Sequence, residues 1–121
     1  MRLGSASIYR KHAALGDLTL VATTASDLPV AYALLEPDGH LDQLYCHPDH
    51  SGCGLADSLL ARAERHAREH RAKRLYTEAS ELARSAFERA GYVLSHRRDF
   101  TIDGEGGPVA IHNYAMGKRL K

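Results

Sequence analysis

Leu44-Tyr45-Cys46-His47-Pro48-Asp49-His50-Ser51-Gly52-Cys53-Gly54-Leu55-Ala56 carries more structural information than any other segment of this chain. An apolar, β-prone run stops at Pro48, and a short loop with two glycines follows. The chain then enters a Leu/Ala/Arg/Glu segment with helical spacing. Glycine at the mouth of a helix lets a ligand approach the backbone, and the first helical amides have no internal acceptor. Those amides and the positive end of the helix dipole make an anion site suited to phosphate.

Outward from this point, the helix is expected over 54–70, with Leu55, Leu59, Leu60, Ala63 and Ala67 turned inward. Arg62, Arg65, Arg68 and Glu69 should face water, and Glu64 can pair with Arg68 one turn on. Upstream, Leu18 to Ala22, Pro29 to Leu35 and His40 to Cys46 read as an antiparallel meander, with Pro37-Asp38-Gly39 as a turn. Residues 1–16 are weakly patterned and are expected to form an irregular arm or a short helix. Downstream, Arg74 to Glu78 reads as a strand reached through a helical crossover, and so parallel to the strand before the helix. Ser80 is a candidate N-cap for a helix over 81–90, which Gly91 ends. Strands near 92–100 and 108–117 should pair across Asp103-Gly104-Glu105-Gly106-Gly107. The fold class is α+β, with a mixed, mostly antiparallel sheet flanked by helices.

At 121 residues the chain is expected to form one domain over 1–121. A formal charge of +1 gives no broad attraction to nucleic acid or an anionic membrane. No apolar run is long enough to cross a bilayer, and no signal-peptide core follows the N-terminus. The two cysteines, Cys46 and Cys53, are too few for a disulfide framework, so a cytoplasmic setting is expected. His47 and His50 bracket the loop, and His66 and His70 stand one helical turn apart. Ala67 occupies the position where a zincin motif needs Glu, so no metal site is expected.

Two phosphate loops are excluded by residue type. A P-loop needs Gly-Lys-Ser/Thr where Gly54-Leu55-Ala56 stands, and a dinucleotide fingerprint needs Gly where Asp57 stands. The segment Ser51-Gly52-Cys53-Gly54-Leu55-Ala56, after Cys46-His47-Pro48, instead resembles the acetyl-CoA pyrophosphate loop of the GNAT superfamily of N-acetyltransferases. That loop reads Gln/Arg-x-x-Gly-x-Gly/Ala; Ser51 departs from its first position, and Cys53 stands where a basic residue is common. Glu78-Ala79-Ser80, Phe87-Glu88-Arg89-Ala90-Gly91-Tyr92 and Asn113-Tyr114-x-Met116-x-Lys118 are similar to one bacterial subgroup. The resemblance covers about residues 17–120. It departs at the N-terminus, where most of a family member's first strand and two helices are expected to be lacking.

The resemblance implies an acetyl-CoA-dependent N-acetyltransferase working by direct attack on a small-molecule or peptide amine. It implies backbone contacts to the donor from Tyr45, Cys46 and His47, with Cys46 the oxyanion donor, and a pyrophosphate grip from Ser51, Gly52, Cys53, Gly54, Leu55 and Ala56. Asp42 is the candidate general base and Glu78 a candidate acceptor-site residue, with an exposed strand or turn position and a helix-start carboxylate as their alternatives. Ser80 and Phe87 are candidates for the pantetheine side, with N-cap and core packing as their alternatives. Many members protonate the leaving thiolate with a tyrosine at the position of Phe87, which has no proton to give; Tyr92, Tyr45 or water are the substitutes. The competing reading is a non-catalytic acyl-CoA-binding or partner-binding module. A homodimer is a further expectation, because a shortened sheet would leave an edge strand near 17–23 to be covered.

Overall fold

The computed structural model describes residues 6–12, 17–24, 26, 28–50 and 54–120. Among the described residues, seven strands and two α-helices run in the order β1 (Ala6–His12), β2 (Leu18–Thr24), β3 (Pro29–Leu35), β4 (Leu41–Cys46), α1 (Leu55–Glu69), β5 (Arg74–Ala79), α2 (Arg84–Arg89), β6 (Val93–Gly104) and β7 (Gly107–Arg119). They form two sheets, β1-β2-β3-β4 and β5-β7-β6, antiparallel throughout.

The meander follows from alternation. Leu18, Leu20 and Ala22 of β2, and Ala31, Ala33 and Leu35 of β3, are buried on one face. Helix α1 covers that face with the five residues its spacing picks out, Leu55, Leu59, Leu60, Ala63 and Ala67. Its polar side carries the expected pair, with Arg68 Nε donating to Glu64 Oε2 at 3.0 Å. Leu41, Leu75, Phe87 and Met116 continue the same core between helix and sheets.

The N-terminal arm is corrected. Residues 6–12 are a strand, in register with β2 from Ala6↔Thr24 to His12↔Leu18. A chain segment too polar to look like a strand alone is held by its neighbour's ladder, since β pairing answers to context more than to propensity. β2 is therefore an internal strand, paired along 18–24 with β1. The five residues between His12 and Leu18 are too few for a pair of helices. Residues 1–5 and 13–16 of the expected arm lie outside the described residues.

Two further elements differ from expectation. Ser80 caps a turn rather than the helix itself: its Oγ accepts from Ala83 N–H at 3.1 Å, and α2 begins at Arg84. The end of α2 is as expected. Gly91, at φ 95°, donates to Glu88 O, and Tyr92 N–H reaches back to Phe87 O. The last hairpin is longer than its glycines suggest, because Gly104 and Gly107 pair and only Glu105 and Gly106 turn.

Candidate active site

β4 and β5 are parallel, and they touch at one point. A single bridge joins His40 to Tyr76, with Tyr76 N–H donating to Gly39 O at 3.0 Å. One side-chain link follows, the buried Thr77 Oγ1 donating to Leu41 O at 2.8 Å. Beyond it the two strands belong to different sheets, and the seam between their C-terminal halves, a cleft in the hydrogen bonding, carries no ladder among the described residues. Gly39 makes the junction possible. Its φ is 98°, and a Cβ there would overlap the carbonyl oxygen of Arg74 on the strand that β4 must meet.

A bulge in β4 shapes one wall of the cleft. Leu34 pairs with Gln43 but Leu35 with Leu41, so Asp42 is the extra residue. Past the bulge, His47 N–H donates to Val30 O at 2.7 Å, which assigns the backbone groups of His47 to β3. Antiparallel alternation then gives Tyr45 to β3 as well and turns the main-chain groups of Leu44 and Cys46 toward the cleft. Of the three amides named from sequence, Cys46 faces the opening; those of Tyr45 and His47 face the sheet. The Tyr45 ring is half-exposed and stacks on Tyr32, 5.5 Å between centroids.

After β4 a 3₁₀ turn, Pro48–His50, leads toward α1, and His47 Nδ1 accepts from Asp49 N–H at 3.1 Å. Ser51, Gly52 and Cys53 lie outside the described residues. Gly54 is the helix N-cap in the left-handed region, φ 83°, with no side-chain cap; its carbonyl takes the first helical bond, from Ser58 at 3.0 Å. The N–H groups of Leu55, Ala56 and Asp57 precede that bond and have no acceptor within the helix. The Leu55 side chain belongs to the core, so only its backbone is offered. Asp57 brings a negative charge to this end, and Arg89 of α2 answers it at 3.1 Å.

The candidate acids converge, together with two residues that sequence reasoning missed. On the sheet face opposite α1, His40 donates or accepts at both ring nitrogens: Nδ1 meets the Glu36 carboxylate, and Nε2 lies 2.8 Å from Glu78 Oε1. The Asp42 carboxylate lies within 4.8 Å of the ligand atoms of Glu36 and His40. Partial burial works against a charge on His40, but the Glu36 and Glu78 carboxylates outweigh it and raise its pKa above the ordinary histidine value. Its ring stacks on Tyr76 at 4.7 Å, directly at the strand junction. The one sequence signal for His40 and Glu36 was alternation, which sets them on the face of Asp42.

The pantetheine-side candidates fare differently. The Ser80 hydroxyl is engaged in capping. Phe87 is 2% exposed and packs edge-on against Tyr92, the core position that was the alternative to a pantetheine contact. Tyr92 is buried too, its hydroxyl has no partner among the described residues, and burial and Glu64 push its pKa far up. Neither ring lines the cleft.

A helix N-terminus thus follows a strand that parts from its parallel neighbour in an α+β fold. A family model described as an acetyltransferase (GNAT) domain matches residues 3–104. The chain belongs to the GNAT family.

Among solved structures it is similar to a GCN5-related N-acetyltransferase from Rhodopseudomonas palustris, 35% identical with a TM-score of 0.73, over 86% of this chain and 62% of that one. The chain thus spans less than two thirds of that protein's length. YncA of Salmonella typhimurium, solved with acetyl-CoA, is 19% identical with a TM-score of 0.73, over 88% and 66%. An IAA acetyltransferase from Bacillus cereus is 14% identical with a TM-score of 0.72, over 96% of this chain and all 100% of that one. The last two likenesses concern the fold. No match was found among curated proteins. No described helix is long and apolar enough to cross a membrane.

Proposed function

We propose that this domain transfers an acetyl group from acetyl-CoA to a primary amine by direct attack. The observation that carries the reading is the cleft between β4 and β5, bridged in the backbone at His40 and Tyr76 and followed by the N-terminus of α1. Acetyl-CoA fits what these residues offer: open space beside Gly54, first-turn amides without helical acceptors for a diphosphate, and a gap between two strands for a pantetheine arm. It supplies the activated thioester.

The remaining work falls to the chain. The Leu55 and Ala56 amides, with Ser51, Gly52 and Cys53 as the resemblance implies, hold the diphosphate. The Cys46 amide, directed into the cleft, donates to the carbonyl oxygen as it gains charge. An acceptor amine arrives as ammonium and must lose a proton before its nitrogen can attack. Glu36, Asp42 and Glu78 around His40 favour the cation's approach, and Asp42 or Glu78, directly or through water, takes the proton. As the new C–N bond forms and the C–S bond breaks, the thiolate leaves and is protonated by water, since Phe87 carries no hydroxyl. The acceptor is a small-molecule or peptide amine.

Phe87 also favours a second reading, a module that binds acyl-CoA without turning it over. Thiol release from acetyl-CoA across a panel of amines, including polyamines and peptide N-termini, tests the first. A thermal shift with CoA but no thiol release supports the second, and neither shift nor release removes both.

A further inference from the structure

Strand β6 is twelve residues long, forms the outer strand of its sheet, and is exposed along its whole length. Among the described residues no strand pairs with its outer edge. A long open edge is a template for a further strand, and a two-stranded ribbon is marginal without added cover. The end of the hairpin presents just such a ribbon: Phe100, Ile102 and Val109 are 39%, 48% and 45% exposed. Register places Phe100 opposite Ile111 and Ile102 opposite Val109, so these apolar residues share one face.

The backbone fixes which groups look outward. Gly104 and Gly107 flank a two-residue turn and so exchange hydrogen bonds, and alternation gives Ile102, Phe100 and Arg98 the same inward pairing with β7. The N–H and C=O groups of Asp103, Thr101, Asp99 and Arg97 therefore point to the open edge. Pro108, which has no N–H, sits opposite Asp103, as this assignment requires.

The occupant is indicated by charge order. Along β6, His96, Arg97 and Arg98 come first, and Asp99 and Asp103 follow. An antiparallel copy of the same strand reverses that order. With the two-fold axis at Phe100, each Arg97 lies opposite Asp103 of the second copy, Asp99 lies opposite Thr101, and the two Phe100 rings meet. Moving the axis to residue 99 sets Asp99 against itself, and moving it to residue 101 sets Asp99 against Asp103. Only the Phe100-centred register of these three pairs outward groups without like charges. Arg97 now bonds Asp99 of its own strand at 3.0 Å, both exposed, so its reach across the edge costs one solvated pair.

We infer that β6 pairs with β6 of a second copy, antiparallel and centred on Phe100, into a two-fold dimer with a continuous six-stranded sheet β5-β7-β6-β6-β7-β5. This interface is on the opposite edge from the one expected from sequence.

Sedimentation equilibrium at micromolar concentration tests the pairing, with Arg97→Asp, Asp103→Arg, the double exchange, and Thr101→Pro, which removes one outward N–H while sparing the bonds to β7. The expected result is a dimeric parent protein, dissociation constants raised roughly tenfold or more in each single variant, and recovery in the double exchange. A monomeric parent protein overturns the inference. So does a dimer that survives Thr101→Pro and both charge variants, or a double exchange that fails to restore association.

Discussion

Gly39→Ala tests the reading that one close approach fastens the two sheets. At φ 98° a side chain is strained, a cost of about 1–2 kcal/mol for a non-glycine residue. The added Cβ also overlaps the Arg74 carbonyl oxygen, which must retreat from a junction where Tyr76 N–H bonds Gly39 O at 3.0 Å. Overpacking of this kind adds about 1–3 kcal/mol, so the two together cost about 2–5 kcal/mol, of which about 2–4 kcal/mol is kept to allow for relaxation. For 121 residues the unfolding entropy is about 0.25 kcal/mol/K, so each kcal/mol lowers Tm by about 4 °C. The expected loss is therefore about 8–16 °C by calorimetry. Because the displaced strand is a wall of the cleft, kcat/KM for acetyl-CoA should fall with it at a temperature where the variant is folded. A variant melting within about 3 °C of the parent protein, with unchanged kcat/KM, would refute the argument.

Four other outcomes follow from the same geometry. Gly54→Glu places a bulky acid where the N-cap faces open space, and isothermal titration should show CoA affinity lost while the fold persists, less about 1–2 kcal/mol of left-handed strain. His40 has a raised folded pKa, so its stabilising contribution is whole below the ordinary histidine value of 6.5 and fades as pH climbs through the folded value. Chemical denaturation of His40→Gln should accordingly show a shallower decline in stability above pH 6.5 than the parent protein. Thr77→Val leaves Leu41 O without its 2.8 Å donor, and should cost about 1–3 kcal/mol in urea denaturation. Phe87→Ala empties a site 2% exposed and should cost about 3–5 kcal/mol, appearing as a lowered urea midpoint; unchanged stability would place the ring outside the core.

Legibility from sequence tracked how local each determinant is. The face of α1 was readable because a 3.6-residue period repeats over four turns, and the meander because alternation is punctuated by Pro37-Asp38-Gly39. β1 was not readable: Ala6 to His12 holds only Ile8 and Tyr9 as strong β-formers, and its strand state comes from the ladder with β2. The hairpin end looked like a loop because three of five residues over 103–107 are glycine, whereas two of those glycines continue the ladder. In the candidate site, Asp42 and Glu78 were singled out, and His40, which sits between the carboxylates, was not. Its partners lie four residues before it and thirty-eight after, so only the folded junction brings them together. For Phe87 the sequence left the ligand and the interior both open; the ring is buried, and that depends on how α2 is rotated.

The cleft leaves the middle of the molecule short of rungs. Every other adjacent pair of strands is stitched by a full ladder, while β4 and β5 share one backbone bridge and the hydroxyl of Thr77. A molecule lodged in that seam would act as the absent ladder and bind the native form alone. Its free energy of binding would then add to folding, about 2.7 kcal/mol at a hundred times Kd. The melting temperature of this protein should therefore report how much of it is loaded with donor, and the empty form should be the first to open.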